Sequence, residues 1–395
     1  MLVPIISGVS LHRMSLTGYN KFSVSILIAF LMIACNTVQK NVAVFNWEAA
    51  TELPPEQGQL RSIGYAGPIA GTHNGVLFIG GGANFPDKMP WRGGVKKYHD
   101  ELFVYHPSGN NFQHFKLPYA LAYCANVSTP KGLVSIGGEN ELGPTSGVLF
   151  INWDGRKVVV KQFPHLPIAI TNASATEVDN IIYVAGGETN EAVSSKFYKL
   201  NMNDAAPAWQ ELAPLPQPTS HAVLVAKEGG NVKQFFLIGG RRKNTNGISD
   251  LYESVYAYNI ANNEWEKKKP LPYALCAGTG TVWGEDYIVL FGGDKGETFH
   301  KVETLIAKIN SEKDSVVKEK LNEEKIMIQS THPGFSNELL WYNIKKDEWM
   351  ANGAIPFAVP VTTTAVKMDG KIYIPSGEIK AGVRTPVILK ANASD

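Results

Sequence analysis

An apolar strand that ends in two glycines returns along this chain at nearly even spacing. It reads Leu77-Phe78-Ile79-Gly80-Gly81-Gly82, Val134-Ser135-Ile136-Gly137-Gly138, Ile182-Tyr183-Val184-Ala185-Gly186-Gly187, Phe236-Leu237-Ile238-Gly239-Gly240 and Val289-Leu290-Phe291-Gly292-Gly293. A sixth copy, Ile372-Tyr373-Ile374-Pro375-Ser376-Gly377, keeps only the second glycine. The steps are 56 residues from Gly82 to Gly138, then 49 to Gly187, 53 to Gly240 and 53 to Gly293. A period near 50 marks a repeat architecture, in which each unit is a small sheet that buries its faces only against its neighbours.

The remainder of each unit agrees. A loop, a tyrosine-rich strand and an aromatic follow the glycines, as in Trp209, Trp265 and Trp349. Then comes Leu117-Pro118, Leu166-Pro167, Leu215-Pro216, Leu271-Pro272 or Ile355-Pro356. The 37 Gly, 23 Pro and 17 Phe suit many short strands joined by tight turns. The pattern predicts an all-β chain, a six-bladed kelch β-propeller over residues 45–395. In it the glycine pairs let each blade's second strand turn near the axis, and the tryptophans pack between blades. After Gly377 only the strand Pro386 to Ala391 remains, so the last blade lacks an outer strand. Phe45-Asn46-Trp47, followed by Leu53-Pro54, supplies it and closes the ring, leaving no open sheet edge. From Gly293 to Gly377 is 84 residues, which predicts an insertion in blade five over about 296–340. Within it Lys308 to Gln329 carries Ile, Val and Leu at helical spacing among Lys and Glu, and reads as one or two helices, equally a solvated decoration or a lid.

The N-terminus reads as an export signal. Lys21 precedes an apolar run from Phe22 to Ala34, of signal-peptide length and short for a membrane span. The run ends Leu31-Met32-Ile33-Ala34-Cys35, which resembles a lipobox and predicts lipidation at Cys35. Residues 1–35 are then a lipoprotein signal peptide, with Met14 an alternative start, and residues 36–44 a polar tether. The expected location is the cell envelope, periplasmic or on the outer membrane, with the lipid as the only membrane contact.

Charge excludes other classes. Lys+Arg 37 against Asp+Glu 36 leaves +1, with no basic cluster interleaved with aromatics as nucleic-acid binding requires. Three cysteines make no disulfide framework and no C-x-x-C pair, so Cys124 and Cys276 read as small buried residues. His99, His221 and His300 could assist proton transfer but are scattered over different blades, which also speaks against a metal site. No set of Tyr, His and Cys ligands at the rim supports a copper-radical oxidase.

In such a blade the loop after the glycine pair opens on one rim of the channel. Asn84, Glu139, Glu188, Arg241 with Arg242, Asp294 and Glu378 therefore become neighbours in space. A ring of carboxylates, guanidinium groups and amides suits a small polyhydroxylated acid, although solvated loops are also polar. Lys96, His99, Asn172, Arg241 and Asn84 are candidate contacts to hydroxyls or a carboxylate.

Two segments narrow this. Gly377-Glu378-Ile379-Lys380-Ala381-Gly382-Val383-Arg384-Thr385 resembles the G-E-x-K-x-G-x-R-T element of bacterial N-acetylneuraminate epimerases, the sialic acid mutarotases of the kelch class. Gly81-Gly82-Ala83-Asn84-Phe85-Pro86, continuing through Trp91, Gly93-Gly94, Lys96 and Tyr98-His99-Asp100-Glu101, looks like their other long rim loop and is similar to a cyclically permuted group of mutarotases. The order of the two elements is rotated here, which a closed ring tolerates. The resemblance covers nearly all of residues 45–395 and implies exchange of the α and β anomers of N-acetylneuraminate or a related sugar acid. It carries the active-site pair over to Glu378 and Arg384. One carboxylate in hydrogen-bond reach can move the protons of ring opening, and one guanidinium can hold the sugar carboxylate in a two-pronged contact. No redox or covalent step occurs, so no cofactor is expected. The rival expectation is a non-enzymatic kelch module that binds a glycan or an envelope protein.

Overall fold

Short runs of Val, Ile, Leu and aromatics between Gly and Asn turns form strands of two to nine residues. The computed structural model describes residues 42–56, 58–227, 233–245 and 247–394. The expected signal peptide, with Cys35, lies outside them. The unit from Val44 onward is the propeller.

Among the described residues the longer strands make six four-stranded antiparallel sheets. Blade one runs outward through Ile69–His73, Val76–Gly80, Glu101–His106 and Asn111–Lys116. Blades two to five repeat this order from Ala125–Thr129, Ser174–Val178, Val223–Ala226 and Thr279–Trp283. Blade six starts at Val366–Met368 and Lys371–Pro375, continues in Val387–Ser394 and ends in the N-terminal strand Val44–Glu52. That last pairing sets Phe45 opposite Ala393 and Trp47 opposite Ala391, with a bulge between Ala49 and Thr51. The ring closes as the sequence predicts.

The core lies between blades rather than within them. Val134, Ile136 and Phe150 of blade two pack with Ile182, Val184 and Leu200 of blade three, and the other seams are built likewise. A second strand covered on both faces is mostly apolar, and Val76–Gly80 and Gly132–Ile136 are buried at every residue, with Ser135 the polar exception bonded to Asn126. The tryptophans span the seams with an added hydrogen bond. Each indole N–H donates to the backbone leading into its own blade: Trp209 to Pro164 (2.7 Å), Trp265 to Ala213 (3.3 Å) and Trp349 to Lys269 (3.0 Å). At the closing seam the emphasis shifts. Phe45, 8% exposed, is stacked on Trp341 and edge-on to Trp283, while the Trp47 indole N–H is buried without a hydrogen-bond partner among the described residues.

The glycine pairs are needed for a close approach. A Cβ on Gly81, Gly137, Gly186 or Gly239 would lie 2.0–2.4 Å from the carbonyl oxygen of Leu121, Ile170, Thr219 or Leu275, each leading into the next blade. The following glycine donates its N–H to that same carbonyl at 2.8–2.9 Å. In blade six Ser376 holds φ 56° in place of the first glycine. Its Oγ accepts from the Tyr65 N–H (2.9 Å) and donates to the Thr385 carbonyl (2.7 Å), clasping the entry to blade one.

The insertion is two helices, α1 (Glu297–Ser311) and α2 (Ser315–Ser330), the second capped by Asp314. The helices begin earlier than the expected Lys308, and the insertion ends just short of 340, since Glu338–Asn343 is already the third strand of blade five.

Candidate active site

Six residues that enter the inner strands meet around the axis: Gly67, Tyr123, Asn172, His221, Ala277 and Thr362. All hold φ between 50° and 61°. Each N–H donates to the carbonyl of the residue before it in the ring. Tyr123 bonds to Gly67 (2.8 Å), Asn172 to Tyr123 (2.9 Å), His221 to Asn172 (3.0 Å), Ala277 to His221 (2.9 Å), Thr362 to Ala277 (2.9 Å) and Gly67 to Thr362 (2.7 Å). The left-handed conformation costs a non-glycine residue roughly 1–2 kcal/mol. The closed circle offsets this by satisfying polar groups that would otherwise be stranded in the channel. Gly67 leaves room for its neighbour, since a Cβ there would lie 2.4 Å from the Tyr123 ring.

Tyr123, Asn172, His221 and Thr362 of the ring form the floor of a cavity of about 470 Å³, within the range of small-molecule sites. Lys96, Glu139, Glu188, Arg241, Asp294, Glu378 and Arg384 supply its charges. Thr298, Phe299 and Val302 of α1 and Gln329 of α2 complete the wall, together with His332 and Phe335 just after. The helical insertion is thus part of the site and not a solvated decoration. Burial lowers the His332 pKa, and its Nδ1 accepts from the Gly334 N–H at 3.0 Å.

Glu378 and Arg384 lie opposite each other in a short hairpin of Glu378–Lys380 with Val383–Arg384. The hairpin turns at Gly382, whose N–H donates to Glu378 Oε1 at 2.6 Å. A Cβ on Gly382, at φ 75°, would meet Pro90 at 2.6 Å, so the rim loop packs directly on the turn. Arg384, only 5% exposed, donates from Nε to the Ala83 carbonyl (3.2 Å) and stacks on Phe85 (4.7 Å). Its Nη1 stands 3.8 Å from Glu378 Oε1 and has no hydrogen-bond partner among the described residues. A buried guanidinium with a free donor beside a carboxylate is an anion-binding arrangement next to a proton acceptor.

Across the axis, blade three contributes Glu188 and blade four Arg241. Glu188 Oε1 accepts from Ser220 Oγ (2.8 Å) and lies 3.3 Å from His221 Nδ1 and 3.4 Å from Arg241 Nη2. Burial alone would raise the Glu188 pKa, but the hydrogen bond from His221, the charge of Arg241 and the hydrogen bond from Ser220 hold it far below the usual carboxylate range. His221 is pushed the other way, first by burial and then by Arg241, so its imidazole is neutral at pH 7. Between the clusters, Lys96 pairs with Glu139 (3.2 Å) and lies over the Tyr123 ring (5.0 Å). Burial raises the Tyr123 pKa, so it presents a neutral phenol.

Of the residues singled out from sequence, Lys96, Asn172, Arg241, Glu378 and Arg384 line the cavity, whereas Asn84 and His99 do not. The register explains this. Bridges pair Ala83, Glu139, Glu188, Arg241, Asp294 and Glu378 with the residues just before the ring, so Ala83 is the blade-one equivalent. One residue further the side chain falls on the other face. Asn84 donates to the Gly64 carbonyl (3.0 Å) and its Oδ1 faces His99 Nε2 (2.9 Å), while His99 Nδ1 reaches Glu56 at 2.7 Å. Arg242 pairs with Asp250 outside the site. His300, on α1, donates from Nε2 to the Ser249 carbonyl (2.9 Å). The sequence does not point to Tyr123, Phe299 or His332, and of the three histidines that could assist proton transfer only His221 lines the cavity. One signal marks the floor: Tyr123, Asn172, His221 and Ala277 each stand six residues after the leucine of a Leu-Pro step. Among the described residues no group of three His, Cys, Asp or Glu could hold a metal. Burial raises both thiol pKa values, that of Cys276 to about 12.

Fold and site together define a kelch-type propeller with a charge-lined small-molecule cavity on its axis. The chain belongs to the N-acetylneuraminate epimerase family, whose model matches residues 163–395. It is similar to the N-acetylneuraminate epimerase of Brucella melitensis biotype 1, 26% identical over 245 residues, which is 61% of each chain. It is also similar to those of Yersinia enterocolitica serotype O:8 (26% over 236 residues, 58% of this chain and 57% of that one) and Haemophilus influenzae strain 86-028NP (25% over 226 residues, 56% and 57%). The matched part thus spans about three fifths of the length of these relatives.

Proposed function

We propose that the chain is a mutarotase that exchanges the α and β anomers of N-acetylneuraminate or a related sugar acid. Arg384 holds the sugar carboxylate through the donor left free at Nη1. Glu378 takes the proton of the anomeric hydroxyl as a base and returns it to the ring oxygen as an acid. The observation that carries this is the buried, partly unpaired Arg384 set beside Glu378 on the cavity wall. The names of the matched relatives support the substrate class. The start of the match at residue 163 supports a rotated order of blades, because a linear comparison can follow only one arc of a permuted ring.

An NMR time course of freshly released α-N-acetylneuraminate, with and without the protein, tests this. Faster appearance of the β-anomer supports the proposal. Binding without acceleration would instead favour a glycan-binding module. The same reading keeps Cys35 as a lipidation site and the cell envelope as the location, supported by the apolar run and lipobox-like end of residues 22–35.

A further inference from the structure

The Glu188, Ser220, His221 and Arg241 cluster is not explained by a mechanism that uses Glu378 and Arg384 alone. The contacts define its hydrogen pattern. Ser220 Oγ donates its proton to Glu188, so at 3.1 Å from Ser220 Oγ and 3.3 Å from Glu188, His221 Nδ1 is the N–H donor. Nε2 faces Arg241 Nη2 at 3.5 Å, and a guanidinium only donates, so Nε2 carries the lone pair. The Arg241 contact is at the long limit of a hydrogen bond, which leaves the lone pair open to a substrate hydroxyl. A carboxylate behind Nδ1–H and a free Nε2 in front is the arrangement that makes an imidazole a directed base.

We infer that His221 is a second proton carrier of the cavity, acting through Nε2 on the anomeric oxygen while Glu378 serves the ring oxygen. This rests on the mutarotase reading and divides the two tasks given there to Glu378. Nε2 takes the hydrogen of the anomeric hydroxyl, and that O–H electron pair closes the carbonyl. The ring C–O bond breaks with its electrons, and Glu378 in its acid form gives the ring oxygen a proton. Closure on the opposite face runs the same transfers in reverse, so the two groups exchange one proton and nothing is oxidised or reduced. Two separate carriers suit the geometry, because the hydroxyl and ring oxygen occupy different places while Glu188 of blade three and Glu378 of blade six face each other across the ring. The charged groups acting on His221 are Glu188, Arg241 and, from blade two, Glu139.

His221 holds φ 54°, a conformation that glycine adopts freely, so His221→Gly keeps the backbone and leaves a hole of imidazole size. Anomer exchange of N-acetylneuraminate is followed for the wild type, His221→Gly and His221→Asn, with and without added imidazole. The expected result is a kcat lowered about 10²-fold or more in both variants with KM little changed, and partial recovery of His221→Gly by imidazole. Wild-type kcat in either variant, a loss confined to KM, or no recovery by imidazole would overturn the assignment while an active wild type leaves the mutarotase reading standing. An inactive wild type would remove both.

Discussion

Arg384 Nη1 lies 3.8 Å from Glu378 Oε1, close enough for their charges to act on each other and too far for a hydrogen bond. The pair is opposed across a two-stranded hairpin, and Gly382 fixes Glu378 through its N–H. Neither side chain spends its full bonding capacity on the other, which leaves one donor and one proton acceptor for a ligand.

Glu378→Gln keeps the shape and the Gly382 contact but cannot transfer a proton. The exchange rate is expected to fall about 10²- to 10⁴-fold with the melting temperature little changed. Rate measurements by NMR beside a thermal melt check both.

Arg384→Lys replaces a planar fork with a point charge that cannot also sit flat on Phe85. Binding of the sugar acid, read by calorimetry, is expected to weaken by about tenfold or more, with a neutral sugar affected much less.

Gly382→Ala places a Cβ against Pro90 and pushes the rim loop from the hairpin. A displacement on the order of 1 Å costs up to about 10²-fold in kcat/KM, while the propeller core is untouched. A variant with wild-type kcat/KM would show that this loop does not shape the site.

Stability in acid is expected to depend on Glu56. Burial would raise its carboxyl, but the hydrogen bond and charge of His99, with Tyr65 and Lys97, hold it at about 2. A depressed carboxyl pKa contributes stability that is present above the unfolded value of 4.5 and lost as pH falls through about 2. The contribution is at most about 3 kcal/mol. Glu56→Gln should flatten the loss of stability over that window, as denaturant melts at pH 7, 4 and 2.5 would show.

Ring closure gives a second handle on the fold. Phe45→Ala empties a site among Trp341, Trp283 and Phe291 and is expected to cost about 3–5 kcal/mol, and removal of residues 45–54 more. A chain starting at Leu60 that melted like the full protein would refute closure by the N-terminal strand.

The repeat made the propeller legible because the glycine pairs answer a backbone demand: the next blade's carbonyl occupies the place of a side chain. Ser376 escaped that rule since its hydroxyl, rather than the lack of one, joins blade six to blade one. Glu378 and Arg384 were readable from a nine-residue element, and Arg241 from its place after a glycine pair. Asn84 was misplaced by one residue because three glycines in a row hide the register at Gly80-Gly81-Gly82. The floor was hidden for another reason. Gly67, Tyr123, Asn172, His221, Ala277 and Thr362 share a backbone conformation and a hydrogen-bond circle but no side-chain chemistry.

The most direct test is the anomer time course of α-N-acetylneuraminate with wild-type protein, Glu378→Gln and, as a carboxylate-free comparison, α-glucose. The expected result is rapid equilibration of the sugar acid by the wild type, a rate near the uncatalysed one with Glu378→Gln, and little action on glucose. Equal acceleration of glucose, or wild-type rates with Glu378→Gln, would contradict it.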